Sequence, residues 1–447
     1  MITASAYKDK AIGVFGLART GVAAVEALAT SGATVFAYDD NADRRDQVPE
    51  HVSNLYELNF SALDELLLAP GVPLTHPKPH ELVLKAADED VKIISDFDVF
   101  EAARTDMPAH KVVAITGTNG KSTTTMLVAH MIAECGRPVA VGGNIGTGVL
   151  ALDILPEGGV YVFEMSSFQL DLTKAFDADV AILLNMSPDH LDRHGDMDGY
   201  MAAKKRLFDM QTDGRTAIVG IDDNPSREIA ENLKNKITVS TMGVEADYSV
   251  VNGLLMAGAN EIADLSGLKR LQGAHNHQNA ACAFAVGKAL GFTSEAILAS
   301  FESFPGLEHR QELVGTFGGV TFINDSKATN SDAAARALSS FENIHWIACG
   351  KAKETDFSHM KSAVNHVKKG YFAGEVADTL FRDIGEGMNA ECFPAMTDAV
   401  AAACRTAQEG DVVLLSPACT AFDEFANFEE RGKAFKTQVV EAKGAAA

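Results

Sequence analysis

The stretch Ile115-Thr116-Gly117-Thr118-Asn119-Gly120-Lys121-Ser122-Thr123 constrains this chain more than any other segment. A run rich in β-branched residues, 111–116, stops at a glycine turn. An apolar helix pattern then runs from about Ser122 to Cys135, and Gly136 and Pro138 close it. Strand, glycine loop, Lys-Ser and helix together are the layout of a phosphate-binding loop. Glycines let backbone N–H groups converge on an anion, and the helix N-terminus adds positive potential. In such a loop Gly117, Thr118, Asn119, Gly120, Lys121, Ser122 and Thr123 hold a nucleoside triphosphate. Lys121 reaches the β/γ-phosphates and the Ser122 hydroxyl ligates Mg²⁺. The loop is a shortened one, because Ile115 stands where the full pattern has a glycine.

At 447 residues the chain exceeds what one hydrophobic core serves, and about three domains are expected. The segments alternate strand and helix patterns throughout, which predicts an α/β fold. Strands are expected at 11–15, 34–38, 111–116, 160–163, 180–184, 320–323, 345–348 and 412–415. A linker is expected around Ala103–His110, and Pro305-Gly306 marks the next boundary. A formal net charge of −23 argues against a nucleic-acid partner or an anionic membrane surface. No window holds a membrane-spanning apolar run, and the N-terminal residues lack a signal-peptide pattern, so a cytoplasmic protein is expected. The six cysteines show no Cys-x-x-Cys spacing and read as reduced thiols.

Further residues could carry chemistry. Gly16-Leu17-Ala18-Arg19-Thr20-Gly21 is a degenerate dinucleotide fingerprint, with Ala18 in the middle glycine slot. It fits a dinucleotide, another nucleotide or nucleotide-sugar contact, or plain helix–strand packing. Glu164 follows an apolar strand, where either a Mg²⁺ ligand or a helix N-terminal acid belongs. His190, in Pro188-Asp189-His190, is equally a loop histidine or a functional one. Lys204 falls on the apolar stripe Met197, Tyr200, Met201, Leu207, Phe208 and Gln211 of a helix expected over 198–211. Such a lysine either snorkels to water or is desolvated into a reactive free amine. His275-Asn276-His277-Gln278-Asn279 opens an Ala-rich helix, either as an N-cap or as a face on which two asparagines meet an adenine or ribose. Arg310 could clamp a nucleotide or form an interdomain ion pair. The segment 324–330, with Asp325, Lys327 and Thr329, follows a strand as a binding loop does. The segment 416–425 follows another strand, and its plain reading is a capped helix start.

These blocks, in this order, resemble the Mur ligases of peptidoglycan synthesis, and the resemblance covers nearly the whole chain. The phosphate loop alone is shared with a wider ligase superfamily. Ser166-Ser167-Phe168-Gln169-Leu170, Ser416-Pro417-Ala418-Cys419 and Asn427-Phe428-Glu429-Glu430-Arg431-Gly432 resemble the D-glutamate-adding branch. The last domain has no Asp-Asn-Pro-Arg motif; Asp223-Asn224-Pro225-Ser226 lies in the middle domain. The resemblance implies a Rossmann-like domain at 1–99 for the UDP-sugar. It implies a central P-loop ATPase-like domain with a parallel sheet at 100–306. A Rossmann-like domain at 307–447 would bind the amino acid and close over the nucleotide. The implied reaction is ATP-dependent joining of D-glutamate to UDP-N-acetylmuramoyl-L-alanine by a monomeric enzyme, through an acyl phosphate.

By the same resemblance, Lys121 and the loop backbone hold ATP phosphates, and Asn279, Arg310, Asp325 and Lys327 match nucleotide-binding positions. Two Mg²⁺ sites are implied. Ser122 and Glu164 serve one; His190 and Lys204, with Lys204 carbamylated by CO₂, serve the other. His190 is also the candidate base for the incoming amine. Thr329, Lys353 and Phe428 match positions that hold the glutamate. Thr20, Asp39, Gly71 and Asn144 match positions that contact the UDP-sugar. Four residues depart from the pattern: Ala421 and Ala69 replace serines, Cys349 replaces a glycine and Arg19 an apolar residue. Thr420 is the candidate to replace the hydroxyl that Ala421 lacks.

Overall fold

Among the described residues, the alternating strand and helix patterns assemble into three β-sheets. The computed structural model describes residues 1–268, 270–352, 355–385 and 387–444, with only the backbone of 443 and 444. They pack as two compact units. One holds Met1–Leu265 and Gln278–Phe304; the other holds Ser266–His277 and the described residues from Pro305 on.

The first unit contains two sheets. The smaller comprises β1 (Ala11–Phe15), β2 (Thr34–Tyr38), β3 (Glu65–Leu68) and β4 (Lys92–Ile94), all parallel in the order β2-β1-β3-β4. The glycine loop joins β1 to the helix Arg19–Thr30. Only glycine fits at Gly21, because a Cβ there would lie 1.9 Å from the Gly16 carbonyl oxygen. That contact brings the helix hard against the strand.

The larger sheet comprises β5 (Lys111–Thr116), β6 (Val139–Gly143), β7 (Val160–Glu164), β8 (Val180–Leu183), β9 (Thr216–Gly220), β10 (Lys236–Ser240), β11 (Tyr248–Val251), β12 (Leu254–Ala257) and β13 (Asn260–Asp264). Its order is β13-β12-β11-β10-β9-β8-β5-β7-β6. The strands are parallel except at β11-β12-β13, where the edge turns antiparallel. β5, β7 and β8 are almost wholly buried, which is why apolar runs mark them. β10–β13 are mixed in polarity and largely half-exposed, so no such run announces them.

Within 103–110, where a linker is expected, Ala103 ends the helix Asp96–Ala103, residues 104–106 form a short 3₁₀ turn, and Thr105, Asp106, Pro108 and Ala109 are exposed. Helix Asp96–Ala103 presses Phe97 and Phe100 edge-on to Phe163, with centroids 5.5 and 4.9 Å apart. Beyond it, Asp106 accepts from the Ser5 backbone N–H at 2.7 Å and from its hydroxyl at 2.9 Å. One hydrophobic core, including Val14, Leu67, Phe100, Val112, Phe163 and Leu207, runs through both sheets.

The second unit holds β14 (Glu312–Phe317), β15 (Val320–Asn324), β16 (Ile344–Cys349), β17 (Val367–Ala373), β18 (Ala390–Phe393) and β19 (Val412–Leu415). They run in the order β14-β15-β19-β16-β17-β18, antiparallel only at β14-β15. Side chains alternate between two cores: Trp346, Ala348, Phe372 and Leu414 on one face, Ile347, Cys349, Tyr371 and Val413 on the other. This two-sided burial is the pattern of a doubly wound sheet. The segment 416–425 is not a helix start. It is an irregular loop with Ala418 in the left-handed region (φ 60°), and the helix begins at Phe428. Among the described residues no helix is long and apolar enough to cross a membrane.

Candidate active site

In the first unit the phosphate loop sits between β5 and the helix Lys121–Glu134. Gly117 (φ 149°) and Gly120 (φ 84°) have backbone conformations that L side chains rarely adopt, and Gly120 caps the helix without a side-chain hydrogen bond. The first turn, Lys121-Ser122-Thr123, therefore leaves its N–H groups without a side-chain cap, as anion binding requires. The loop is pinned from below. Thr118 N–H donates to the Asn185 carbonyl and Asn119 N–H to Asn185 Oδ1, both at 2.9 Å. The Thr118 hydroxyl lies 3.0 Å from the Tyr200 hydroxyl. Asn279 lies against the loop, since a Cβ at Gly120 would fall 2.5 Å from its Oδ1. Helix Ala274–Ala289 begins before the polar cluster, so His275–Asn279 is not its cap. Asn276 instead donates to the Gln272 carbonyl at 2.9 Å.

Two lysines converge on this loop. Lys121 Nζ donates to the carbonyls of Gly117 (2.9 Å) and Thr118 (2.8 Å). Lys204 Nζ donates to the same Gly117 carbonyl at 2.9 Å and to Thr116 Oγ1 at 3.2 Å. Lys204 is 1% exposed, so it does not snorkel to water. Burial, then the neighbouring Lys121 charge, hold its pKa well below the usual lysine range, against the pull of Asp189 and Glu164. Burial of this kind disfavours the charged form of the amine.

Glu164 ends β7 beside Ile115 of β5. It is 2% exposed; Oε1 accepts from Asn144 Nδ2 at 2.7 Å, while Oε2 is buried with no hydrogen-bond partner. A carboxylate oxygen left in that state suits a hard cation. Among the described residues no three His, Cys, Asp or Glu side chains gather as a metal cage. The Glu164 oxygen fits Mg²⁺, which takes one or two carboxylates and completes its shell with phosphate and water oxygens. An imidazole and an amine suit it poorly, so His190 and Lys204 fit that ion only if Lys204 acquires oxygen atoms.

His190 is in the left-handed region (φ 53°) and starts the short helix Leu191–His194. Its ring lies 4.7 Å from that of Phe168 and 3.5 Å from Asp189 Oδ2. At the smaller sheet, Asp39 ends the turn after β2 and accepts from Leu17 N–H (2.6 Å), Asn41 N–H (2.8 Å) and Arg44 (3.3 Å). Burial pushes its carboxyl up, but those donors outweigh burial and leave its pKa below the usual value. Thr20 occupies the first turn of the helix after the glycine loop, and Gly71 has open space where a Cβ would stand.

In the second unit, Asp325 follows β15. It accepts from Ser416 Oγ at 2.8 Å and Gln311 N–H at 3.2 Å. Burial pushes its pKa up to about 7, against those donors and the charges of Arg310 and Arg431. Arg310 lies between His309 and Gln311, both with positive φ. Lys327 Nζ sits 3.7 Å over the Phe428 ring, and the Phe428 carbonyl accepts from Ser326 Oγ. Thr329 N–H donates to the Lys327 carbonyl. Lys353 lies outside the described residues. Thr420 Oγ1 already donates to the Lys351 carbonyl at 2.8 Å, which commits the hydroxyl expected to replace that of a serine at Ala421. Asp223-Asn224-Pro225-Ser226 is a helix cap, with Asp223 accepting from Ser226 N–H at 2.8 Å.

Arg431 was assigned no role by the sequence patterns. It is wholly buried, and its guanidinium donates to Ser326 Oγ and to the carbonyls of Ser326, Cys349, Cys419 and Thr420, at 2.9–3.1 Å. It thereby fixes the loops after β15, β16 and β19. Helical spacing held the signal, because Phe428, Arg431, Phe435 and Val439 form one stripe.

The Mur ligase middle domain family matches residues 115–287, and the Mur ligase glutamate ligase domain family matches residues 309–419. The chain is 43% identical over 461 residues to UDP-N-acetylmuramoylalanine–D-glutamate ligase of Caulobacter vibrioides, covering 98% of this chain and 97% of that one. It is 44% identical over 460 residues to the ligase of the same name from Nitrobacter hamburgensis, covering 98% of each. Its fold resembles that of UDP-N-acetylmuramate-alanine ligase from Thermotoga maritima, with a TM-score of 0.60 and 16% identity over 97% of this chain and 100% of that one.

Proposed function

The chain belongs to the Mur ligases, and we propose that it joins D-glutamate to UDP-N-acetylmuramoyl-L-alanine in peptidoglycan precursor synthesis. The observation that carries this reading is the convergence of Lys121 and Lys204 on Gly117, beside the partnerless oxygen of Glu164. ATP with Mg²⁺ supplies the phosphoryl group that converts the alanyl carboxylate into an acyl phosphate, which the amine of D-glutamate then displaces.

The division of labour is also our reading. Residues 1–99 hold the UDP-sugar through Thr20, Asp39 and Gly71, with Asn144 reaching it from residues 100–306. The loop 117–123 cradles the phosphates, and Lys121 exchanges its two carbonyl partners for phosphate oxygens. Ser122 and Glu164 hold one Mg²⁺. His190 and a carbamylated Lys204 hold a second, since a carbamate presents the oxygens that an amine lacks. Residues 307–447 contribute Arg310, Asp325 and Lys327, with Asn279, to the nucleotide, and Thr329, Lys353 and Phe428 to the amino acid. The chain acts as a monomer in the cytoplasm, where ATP is available.

Phosphate release with ATP and Mg²⁺ is expected only when both UDP-N-acetylmuramoyl-L-alanine and D-glutamate are present. Hydrolysis independent of either substrate, as in a nucleotide switch, contradicts the reading. Arg310→Ala is expected to raise the KM for ATP about tenfold, the effect of losing one charge-assisted hydrogen bond. An unchanged ATP dependence in steady-state assays removes Arg310 from the nucleotide site.

A further inference from the structure

We propose that Arg193 is a positioning residue that sets the UDP-sugar loop in register with the catalytic His190 segment; this rests on the function proposed above. Arg193 lies in the short helix Leu191–His194, three residues after His190. Its Nη1 donates to the Gly71 carbonyl at 2.7 Å and its Nη2 to the Val72 carbonyl at 3.1 Å. The same guanidinium stacks over the Phe168 ring, 4.6 Å from its centroid. Phe168 also carries the His190 ring at 4.7 Å and the His194 ring at 5.6 Å. Phe168 belongs to the helix Ser167–Leu172, which starts three residues after Glu164.

One planar group therefore joins three parts of the first unit: the loop after β3, the helix after β7 and the segment after β8. A second contact lies beside it, because the His76 ring packs where a Cβ of Gly195 would stand, at 3.0 Å. A guanidinium suits this task because its fork holds two successive carbonyls at once while its flat face lies on an aromatic ring. Fixing both carbonyls fixes the peptide plane between Gly71 and Val72. Gly71 is exposed and has open space on its Cα, so this loop can meet a ligand directly. Arg193 has no carboxylate within ion-pair distance among the described residues. Its Nε is buried without a hydrogen-bond partner. Loop carbonyls and one aromatic face therefore account for its placement, which a surface ion pair does not.

The test compares Arg193→Met, which keeps a long unbranched side chain without the guanidinium, with Arg193→Lys, which keeps the charge but loses the fork. KM values for UDP-N-acetylmuramoyl-L-alanine, ATP and D-glutamate are measured for each, with thermal midpoints and calorimetric binding of the UDP-sugar alone. Both variants are expected to raise the UDP-sugar KM and Kd about tenfold, the loss of one paired hydrogen bond to charge, with the other two KM values within about twofold. A merely structural role lowers the midpoint and the active fraction but leaves all three KM values in place. That result, or equal shifts in all three, overturns the proposal. If the Met variant does not fold, the Lys variant decides, because a role of charge alone predicts that it retains the wild-type KM. A wild-type chain that binds no UDP-sugar in the same calorimetry refutes the functional reading itself, apart from Arg193.

Discussion

Lys121→Ala is expected to lower turnover about a thousandfold or more while the chain stays folded. The side chain is half-buried at the start of its helix, and its amine donates to the Gly117 and Thr118 carbonyls of its own loop, so the truncation removes no core packing. What is lost appears during reaction. Negative charge shifts across the transferred phosphoryl group, and a preorganised cation at that point typically contributes two to three orders of magnitude in rate, or about 3–4 kcal/mol. Alanine at the first helical position is a good helix former and leaves the backbone N–H groups in place. Residual ATP binding with failed turnover is therefore the expected pattern. The assay is phosphate release at saturating substrates, beside a thermal melt. A folded and fully active variant would refute the assignment of this loop to the triphosphate.

Lys204→Ala is expected to be nearly inactive and partly restored by acetate or formate. The wild-type amine is buried, its pKa is held well below the usual lysine range, and it donates to the Gly117 carbonyl at 2.9 Å. A neutral amine adds to CO₂; the C–N bond forms, one proton leaves to solvent, and the product is an anionic carbamate. On the function proposed above, its oxygens would give Mg²⁺ the donors that it prefers. Alanine removes those oxygens and opens a space that a short carboxylate can occupy. ¹³C-labelled bicarbonate should give a carbamate resonance in the wild-type chain and none in the variant. Full activity of the variant without any added carboxylate returns Lys204 to a packing role.

The legibility of the site followed the locality of its signals. Gly117 to Thr123 was plain because turn, charge and helix start are adjacent in the chain. Lys204 stood out because its spacing from Tyr200 and Leu207 placed a cation on a buried stripe. Asp39 was named only through the family resemblance, and its grip on Leu17 N–H needed the folded loop. The helix expected within 416–425 failed because the guanidinium of Arg431 captures the carbonyls of Cys419 and Thr420 from a later helix. Local propensity cannot register a partner that arrives from eleven or twelve residues away. The segment 103–110, read as a linker from its charged and breaker residues, is exposed at Thr105, Asp106, Pro108 and Ala109, while Phe97 and Phe100 of the helix before it bury against Phe163.

The order of residues alone fixed the α/β alternation, the phosphate loop and the family, because each depends on spacing within one strand–turn–helix unit or on segments read in sequence. Folding decided which distant groups meet: Asn185 and Tyr200 beneath the loop, Arg193 on the Gly71 and Val72 carbonyls, and Arg431 across three strand ends. It also decided the lowered pKa of Lys204, since excluding water disfavours the charged amine, and only the packed chain excludes that water.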